Sequence, residues 1–276
     1  MILEVGEAFI HAEVFHVAAA TISSILKPVR RLARHCLVFV FMPVLNALSH
    51  RAYAQFLPDR YSGADVEIRR LRKLWDTGRL GNNGGDHARL FFLTASIQSL
   101  ESARLPGAFA ELGVFKGNSA RIMHEMAPER DLFLFDTFEG LPEEHVTADP
   151  AQTRVGGFAS SLSEVRRFVG EGPRIHYCQG IFPETAELVP EDVRFALVHL
   201  DCDLYVPTKA ALEFFYPRMT PGGLLIVHDY HSGYWPGVTA AADEFLADKP
   251  EGLVYIPDKS GSAALVRQHD MNSKPT

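Results

Sequence analysis

The chain has little of what a disulfide scaffold or a cysteine-based metal module requires, since its 276 residues hold three cysteines. Cys36, Cys178 and Cys202 are odd in number and far apart, which excludes a disulfide framework and a Cys-x-x-Cys site. A reducing, cytoplasmic location is therefore expected. Long apolar runs are also missing: the stretch from Cys36 to Leu48 is too short for a bilayer and is broken by Pro43. Glu4 and Glu7 stand where a secretory leader carries basic residues, so export is not expected. An excess of positive charge is absent as well. The formal net charge of -7 argues against nucleic acid as a partner, because phosphate binding needs surplus Lys and Arg. No internal repeat and no low-complexity segment interrupts the chain.

What is present suffices for one large α/β core, with 47% hydrophobic and 22% charged residues. Residues 1–82 read as a helical N-terminal extension. Its basic cluster (Lys27, Arg30, Arg31, Arg34) precedes the apolar run, a pattern compatible with a docked helix, peripheral membrane contact or self-association into a homo-oligomer. A turn cluster at Asn82–Gly85 precedes Leu90, Phe91, Leu93, Ile97 and Leu100 at helical spacing, and Pro106-Gly107 ends that helix. The catalytic domain is placed at 83–268, with a tail at 269–276.

From Gly107 onward, strand-like runs alternate with helical stretches: 108–114, 131–135, 174–178, 195–200 and 224–227. Such alternation implies right-handed βαβ crossovers and a mostly parallel sheet. Leu253–Ile256 and Ala263–Val266 flank the turn residues Asp258–Gly261 and read as a closing antiparallel hairpin.

Three segments carry chemistry. After the first strand, Glu111-Leu112-Gly113-Val114-Phe115-Lys116-Gly117 lets the backbone approach a ligand, with Glu-x-Gly-x-x-x-Gly spacing instead of the dinucleotide Gly-x-Gly-x-x-Gly. The second strand ends at Asp136, where an acid can hold a ribose diol. The fourth ends in His199-Leu200-Asp201-Cys202-Asp203 and the fifth in His228-Asp229-Tyr230, both opening onto one crevice. Read as extended chain, Asp201 and Asp203 share a side, and their repulsion calls for a cation, a shared proton or a substrate hydroxyl. Carboxylates suit Mg2+ or Mn2+, and the imidazole of His228 shifts the preference toward later metals. Capping without metal is the other reading of these side chains.

ELGVFKGNSA, LFDTFEGLP, FASSLSEVRRF, QGIFPET, HLDCDLY and GGLLIVHDY occur in that order. Over roughly Asn83 to Phe245 the chain thereby resembles the macrocin O-methyltransferase family. The resemblance implies a Rossmann-like class I methyltransferase fold. It also implies S-adenosylmethionine-dependent methylation of a hydroxyl on a sugar or glycosylated natural product, with divalent metal assistance. Glu111, Gly113 and Gly117 would line the methionine side of the cofactor, Asp136 and Phe138 the adenosine, and Ser160 or Ser161, Ile181 and Phe182 the adenine. Asp201, His228 and Asp229 occupy the places of the metal ligands, and Asp203 that of a general base. The family's usual Asp-Asp-Tyr reads His228-Asp229-Tyr230 here. A nicotinamide-dependent oxidoreductase and a non-catalytic nucleoside- or sugar-binding relative are the competing readings. The loop residues His231, Tyr234 and Trp235 offer faces on which a sugar could stack, and Glu143–Gly157 is the expected lid.

Overall fold

The structure, a computed structural model, describes residues 68–76, 86–149, 151 and 153–268. The basic cluster, the apolar run and the tail lie outside the described residues, and with them the expected membrane and oligomer contacts. By contacts the chain divides into Met1–Leu57 and Pro58–Thr276. The first described helix, α1 (Ile68–Trp75), belongs to the second unit. Asn118 Nδ2 donates to the Leu74 and Trp75 carbonyls at 3.1 and 2.8 Å, fastening it to the sheet domain. The expected boundary at 82/83 falls outside the described residues.

Helix α2 (His87–Ser102) begins where Asp86 accepts the Arg89 N–H at 3.1 Å and buries Leu90, Leu93, Ile97 and Leu100. The second Asp86 oxygen accepts the Lys259 N–H at 2.8 Å, tying the helix to the distant C-terminal turn. Then follow β1 (Ala108–Leu112), α3 (Asn118–Met126), β2 (Leu132–Asp136), α4 (Glu143–Ala148), α5 (Leu162–Val169) and β3 (Ile175–Gln179). The chain continues through β4 (Phe195–Leu200), α6 (Tyr205–Phe215), β5 (Met219–Val227), α7 (Pro236–Leu246), β6 (Val254–Tyr255) and β7 (Ala263–Val266).

The seven strands form one sheet in the order β3-β2-β1-β4-β5-β7-β6. β1 to β5 run parallel, β7 pairs antiparallel with β5, and β6 pairs antiparallel with β7. This is the expected mostly parallel sheet with antiparallel C-terminal strands. Every residue of β1 and β4 is buried, as central strands covered on both faces require. Full burial of each large apolar side chain there, such as Phe109 or Leu197, stabilises by about 2 kcal/mol before chain entropy is counted. β5 is longer than its apolar run: a register shift opposite Phe195–Leu197 admits Pro221-Gly222-Gly223 into the strand. Strand order reverses direction between β1 and β4, which opens a crevice at their carboxyl ends. No described helix is long and apolar enough to cross a membrane.

Candidate active site

Gly113 sits where β1 and β4 converge. Its φ is 89°, and a Cβ there would overlap the Asp201 carbonyl oxygen and lie 2.6 Å from the carbonyl carbon. Glycine thus lets Asp201 N–H donate to Leu112 O at 2.8 Å, bringing the glycine loop beside the acidic strand end. Gly117 serves packing instead: a Cβ would meet Val169 Cγ2 at 2.5 Å, so the glycine seats the start of α3 against α5.

Asp136 organises the loop. Its Oδ2 accepts N–H bonds from Val114 and Phe115, both at 2.8 Å, and its Oδ1 accepts the Phe138 N–H at 2.7 Å. Burial raises its pKa, and those three amides pull the other way. A carboxylate has about four acceptor sites, so one stays open toward the crevice.

Across the crevice, Asp201, His228 and Asp229 bring three ligand atoms within 4.8 Å of one another. His228 Nδ1 lies 2.7 Å from Asp201 Oδ1 and 2.8 Å from Asp229 Oδ2. Those distances suit hydrogen bonds, but the buried nitrogen meets neither oxygen in a bonding direction. An orphaned nitrogen converging with two carboxylates fits a divalent cation, whose opposed ligands stand about 4 Å apart. The mixed N/O donor set admits Mn2+ and later metals beside Mg2+.

Charge around this cluster is dense. Asp201 Oδ2 accepts from Arg89 Nη1 at 3.0 Å, and Arg89 lies over Trp75 with its guanidinium carbon 5.0 Å from the ring centroid. Burial opposes charge on Asp201, but His228 and Arg89 outweigh it and hold the carboxyl well below its usual range. Burial also opposes charge on His228, and Asp201 and Asp229 overcome it, lifting the imidazole to about 9. Asp203 is pushed well above the carboxylate range by burial and then by the Asp201 and Asp229 charges. The expected alternation after β4 does not occur: the strand ends at Leu200 and Asp203 has φ 64°. A left-handed turn, and not a shared strand face, brings Asp203 toward Asp229.

All four groups line a single cavity of about 530 Å³. Gly113, Asp136, Ile181 and Phe182 line it as well, within the size range of small-molecule sites. Five other residues expected at the cofactor stand outside the lining. Glu111 is fully buried, with Oε1 2.7 Å from His199 Nδ1, and so lies behind the crevice floor. Gly117 faces α5. Phe138 is buried beneath the Asp136 turn. Ser160 has a buried hydroxyl, and the Ser161 hydroxyl pairs with that of Ser163 at 2.8 Å. The loop after β5 divides: Tyr234 and Trp235 line the cavity, whereas His231 packs between Tyr230 and Tyr255 at 4.5 and 4.9 Å. Of the expected lid Glu143–Gly157, whose helical part is α4, His145 and Gly157 line the cavity, joined by Gly140, Leu141 and Pro142 just before it.

Arg89 is a lining residue that sequence reading missed, and His145 lies inside the expected lid but was not singled out. Arg89 had a legible signal. It shares the i, i+4, i+8, i+11 stripe with Leu93, Ile97 and Leu100, so a charge was being carried on a buried face. His145 had none, because the short α4 has no apolar periodicity.

The Macrocin-O-methyltransferase (TylF) family matches this chain over residues 39–251. The chain belongs to this family. A 4'-O-methyltransferase of 8-demethyl-8-(2,3-dimethoxy-alpha-L-rhamnosyl)-tetracenomycin-C from Streptomyces olivaceus is 30% identical over 157 residues, 51% of this chain and 60% of its own length. The demethyldecarbamoylnovobiocin O-methyltransferase of Streptomyces niveus is 28% identical over 191 residues, 63% of this chain and 71% of its own. The chain thus spans about 60% of the first relative's length. The solved O-methyltransferase NovP superposes with a TM-score of 0.59 at 26% identity, over 66% of this chain and 80% of its own. Its likeness agrees with the class I Rossmann-like sheet order.

Proposed function

We propose that this protein transfers a methyl group from S-adenosylmethionine to a hydroxyl of a sugar carried on a small natural product. A divalent cation held by Asp201, His228 and Asp229 would assist it. The observation that carries the reading is one cavity that joins the Gly113–Asp136 cradle to the acid-imidazole cluster. The relatives' names, with a rhamnosyl tetracenomycin among their substrates, support the acceptor class.

In this reading Asp136 uses its remaining acceptor site on the ribose diol, while Ile181 and Phe182 cover the adenine. The cofactor would supply an electrophilic methyl on sulfur, and a cation held by Asp201, His228 and Asp229 would lower the pKa of a hydroxyl that is otherwise far too weak an acid. Asp203 takes the hydroxyl proton. In-line displacement needs the acceptor oxygen, methyl and sulfur aligned, so most of the rate comes from positioning by the crevice walls. Arg89 steadies Asp201 by occupying the oxygen turned away from His228.

The deciding experiment is calorimetry of the chelator-treated protein with S-adenosylmethionine, S-adenosylhomocysteine and a nicotinamide dinucleotide, each with and without Mg2+ or Mn2+. Micromolar binding of the sulfur nucleosides alone supports the reading. Binding of the dinucleotide instead overturns it in favour of an oxidoreductase. Cofactor binding with no turnover on any hydroxyl acceptor would favour the non-catalytic alternative.

A further inference from the structure

We infer that His145 is the residue that reads the base of the cofactor: its imidazole hydrogen-bonds the amino edge of the adenine and makes the site specific for a 6-aminopurine nucleoside. This rests on the methyl-transfer reading above and assigns the polar contact that the base end of the cavity otherwise lacks.

His145 stands on α4, lines the cavity and is 7% exposed. Among the described residues neither of its ring nitrogens has a hydrogen-bond partner, although a buried polar group left unpaired is costly. Other histidines are answered: His87 meets Asp76 at 3.1 Å, His176 meets Asp131 at 3.0 Å and His199 meets Glu111 at 2.7 Å. An unanswered imidazole on a cavity wall points to a ligand. Burial holds its pKa below the ordinary histidine value, against a smaller upward pull from Glu144 and Glu184, so the ring is neutral at pH 7. A neutral imidazole carries one donor and one acceptor, whereas an imidazolium would turn only donors toward an amino group. The helix that carries the ring is fixed in place. Its end is clipped to α6 where Asp149 Oδ2 accepts the Tyr205 N–H at 2.6 Å, while Asp149 Oδ1 accepts the Ala151 N–H at 2.8 Å.

Position selects the base and not the acceptor. The charges that reach His145 are those of Glu144 and Glu184, and none comes from Asp136, Asp201, Asp203 or Asp229, which line the same cavity. Glu184 opens the 3-10 turn Glu184–Leu188, two residues after Phe182. His145 therefore lies at the end of the cavity walled by Ile181 and Phe182, away from the acid-imidazole cluster. Those walls are apolar and offer no side-chain hydrogen bond. Ser160 and Ser161 stand outside the lining, and the Thr137 hydroxyl donates to the Gly140 carbonyl at 2.7 Å and accepts the Glu139 N–H at 3.2 Å. The imidazole is left with a donor and an acceptor uncommitted. Apolar walls with one aimed polar group fix a flat heterocycle in one orientation, and a group placed to bond an amine rejects the analogue that lacks it.

The test is calorimetry of the full-length protein with S-adenosylhomocysteine and with its analogue in which unsubstituted purine replaces adenine. Wild type is expected to bind the analogue about tenfold more weakly, the magnitude of one hydrogen bond to a buried polar group. His145→Phe keeps a ring of similar shape; it should weaken S-adenosylhomocysteine about tenfold, leave the analogue nearly unchanged and so bring the ratio of the two affinities to about one. His145→Gln, which retains a donor and an acceptor, should keep part of the ratio, with thermal melting as the check on folding. Should His145→Phe not fold, His145→Leu takes its place, and should neither fold, the wild-type ratio decides. Equal wild-type affinities for the two ligands, or a ratio that His145→Phe leaves intact, would overturn the assignment. So would a fall of equal size for both ligands, which would make His145 a wall of the pocket and not the group that reads the amine. Failure of the wild type to bind S-adenosylhomocysteine is a different result, and strikes the methyl-transfer reading itself.

Discussion

Gly113→Ala is the substitution in which fold and site are most tightly coupled. The added methyl must displace the Asp201 carbonyl, whose carbon would be 2.6 Å away, and it must do so from a residue at φ 89°. Overpacking of this kind costs about 1–3 kcal/mol, and a non-glycine residue held at positive φ costs about 1 kcal/mol or more. Together these amount to about 2–4 kcal/mol, or roughly 4–16 °C in melting temperature for a domain of this size. Gly233→Ala is the matched control. It has the same hand of backbone, φ 67°, but no heavy atom within 4 Å of the new Cβ. It bears the conformational cost alone, roughly 2–4 °C. Melting followed by circular dichroism reads both variants. Calorimetry with S-adenosylhomocysteine then reads whether the displaced Asp201 end also loosens the cradle. If the two variants melt within about 3 °C of each other, close approach of β1 and β4 is not what glycine provides at 113, and the account of this corner fails.

Arg89→Met leaves the partly buried Asp201 carboxylate without its guanidinium and should destabilise by about 3 kcal/mol; adding Asp201→Asn should recover part of that loss, and strict additivity in urea unfolding would count against coupling. Asp136→Asn places an amide N–H₂ opposite backbone N–H donors, so S-adenosylhomocysteine affinity should fall at least tenfold by calorimetry, whereas unchanged affinity would detach Asp136 from the nucleoside. Asp203→Asn should nearly abolish methyl transfer with cofactor affinity close to normal, and an active variant removes Asp203 from the role of base. A cation at His228 must displace the proton that the ring holds below about pH 9. Metal affinity should therefore rise close to tenfold per pH unit between about 6.5 and 8.5. Titrations in buffers of different ionisation enthalpy would count the released proton, and a flat profile would exclude His228 as a ligand.

Strand-and-helix alternation after Gly107, the closing hairpin and the ordered strand-end motifs were legible in the sequence. They rest on local properties: apolar runs for buried parallel strands, turn residues at strand ends, and acids where strands open onto a crevice. The identities of Asp136, Asp201, His228 and Asp229 as crevice residues followed from topology alone, because every parallel strand delivers its carboxyl end to the same edge of the sheet. Other features were settled only in three dimensions. Glu111 belongs to a strand motif, but its neighbour across the β1–β4 pair is His199, and that contact turns it away from the crevice. Asp203 reaches Asp229 through a left-handed turn that strand alternation cannot anticipate. Arg89 meets Asp201 across 112 positions of sequence. Periodicity reports which face of an element is buried and says nothing of which distant residue is buried against it; that choice is made when helix, loop and sheet close over the same crevice.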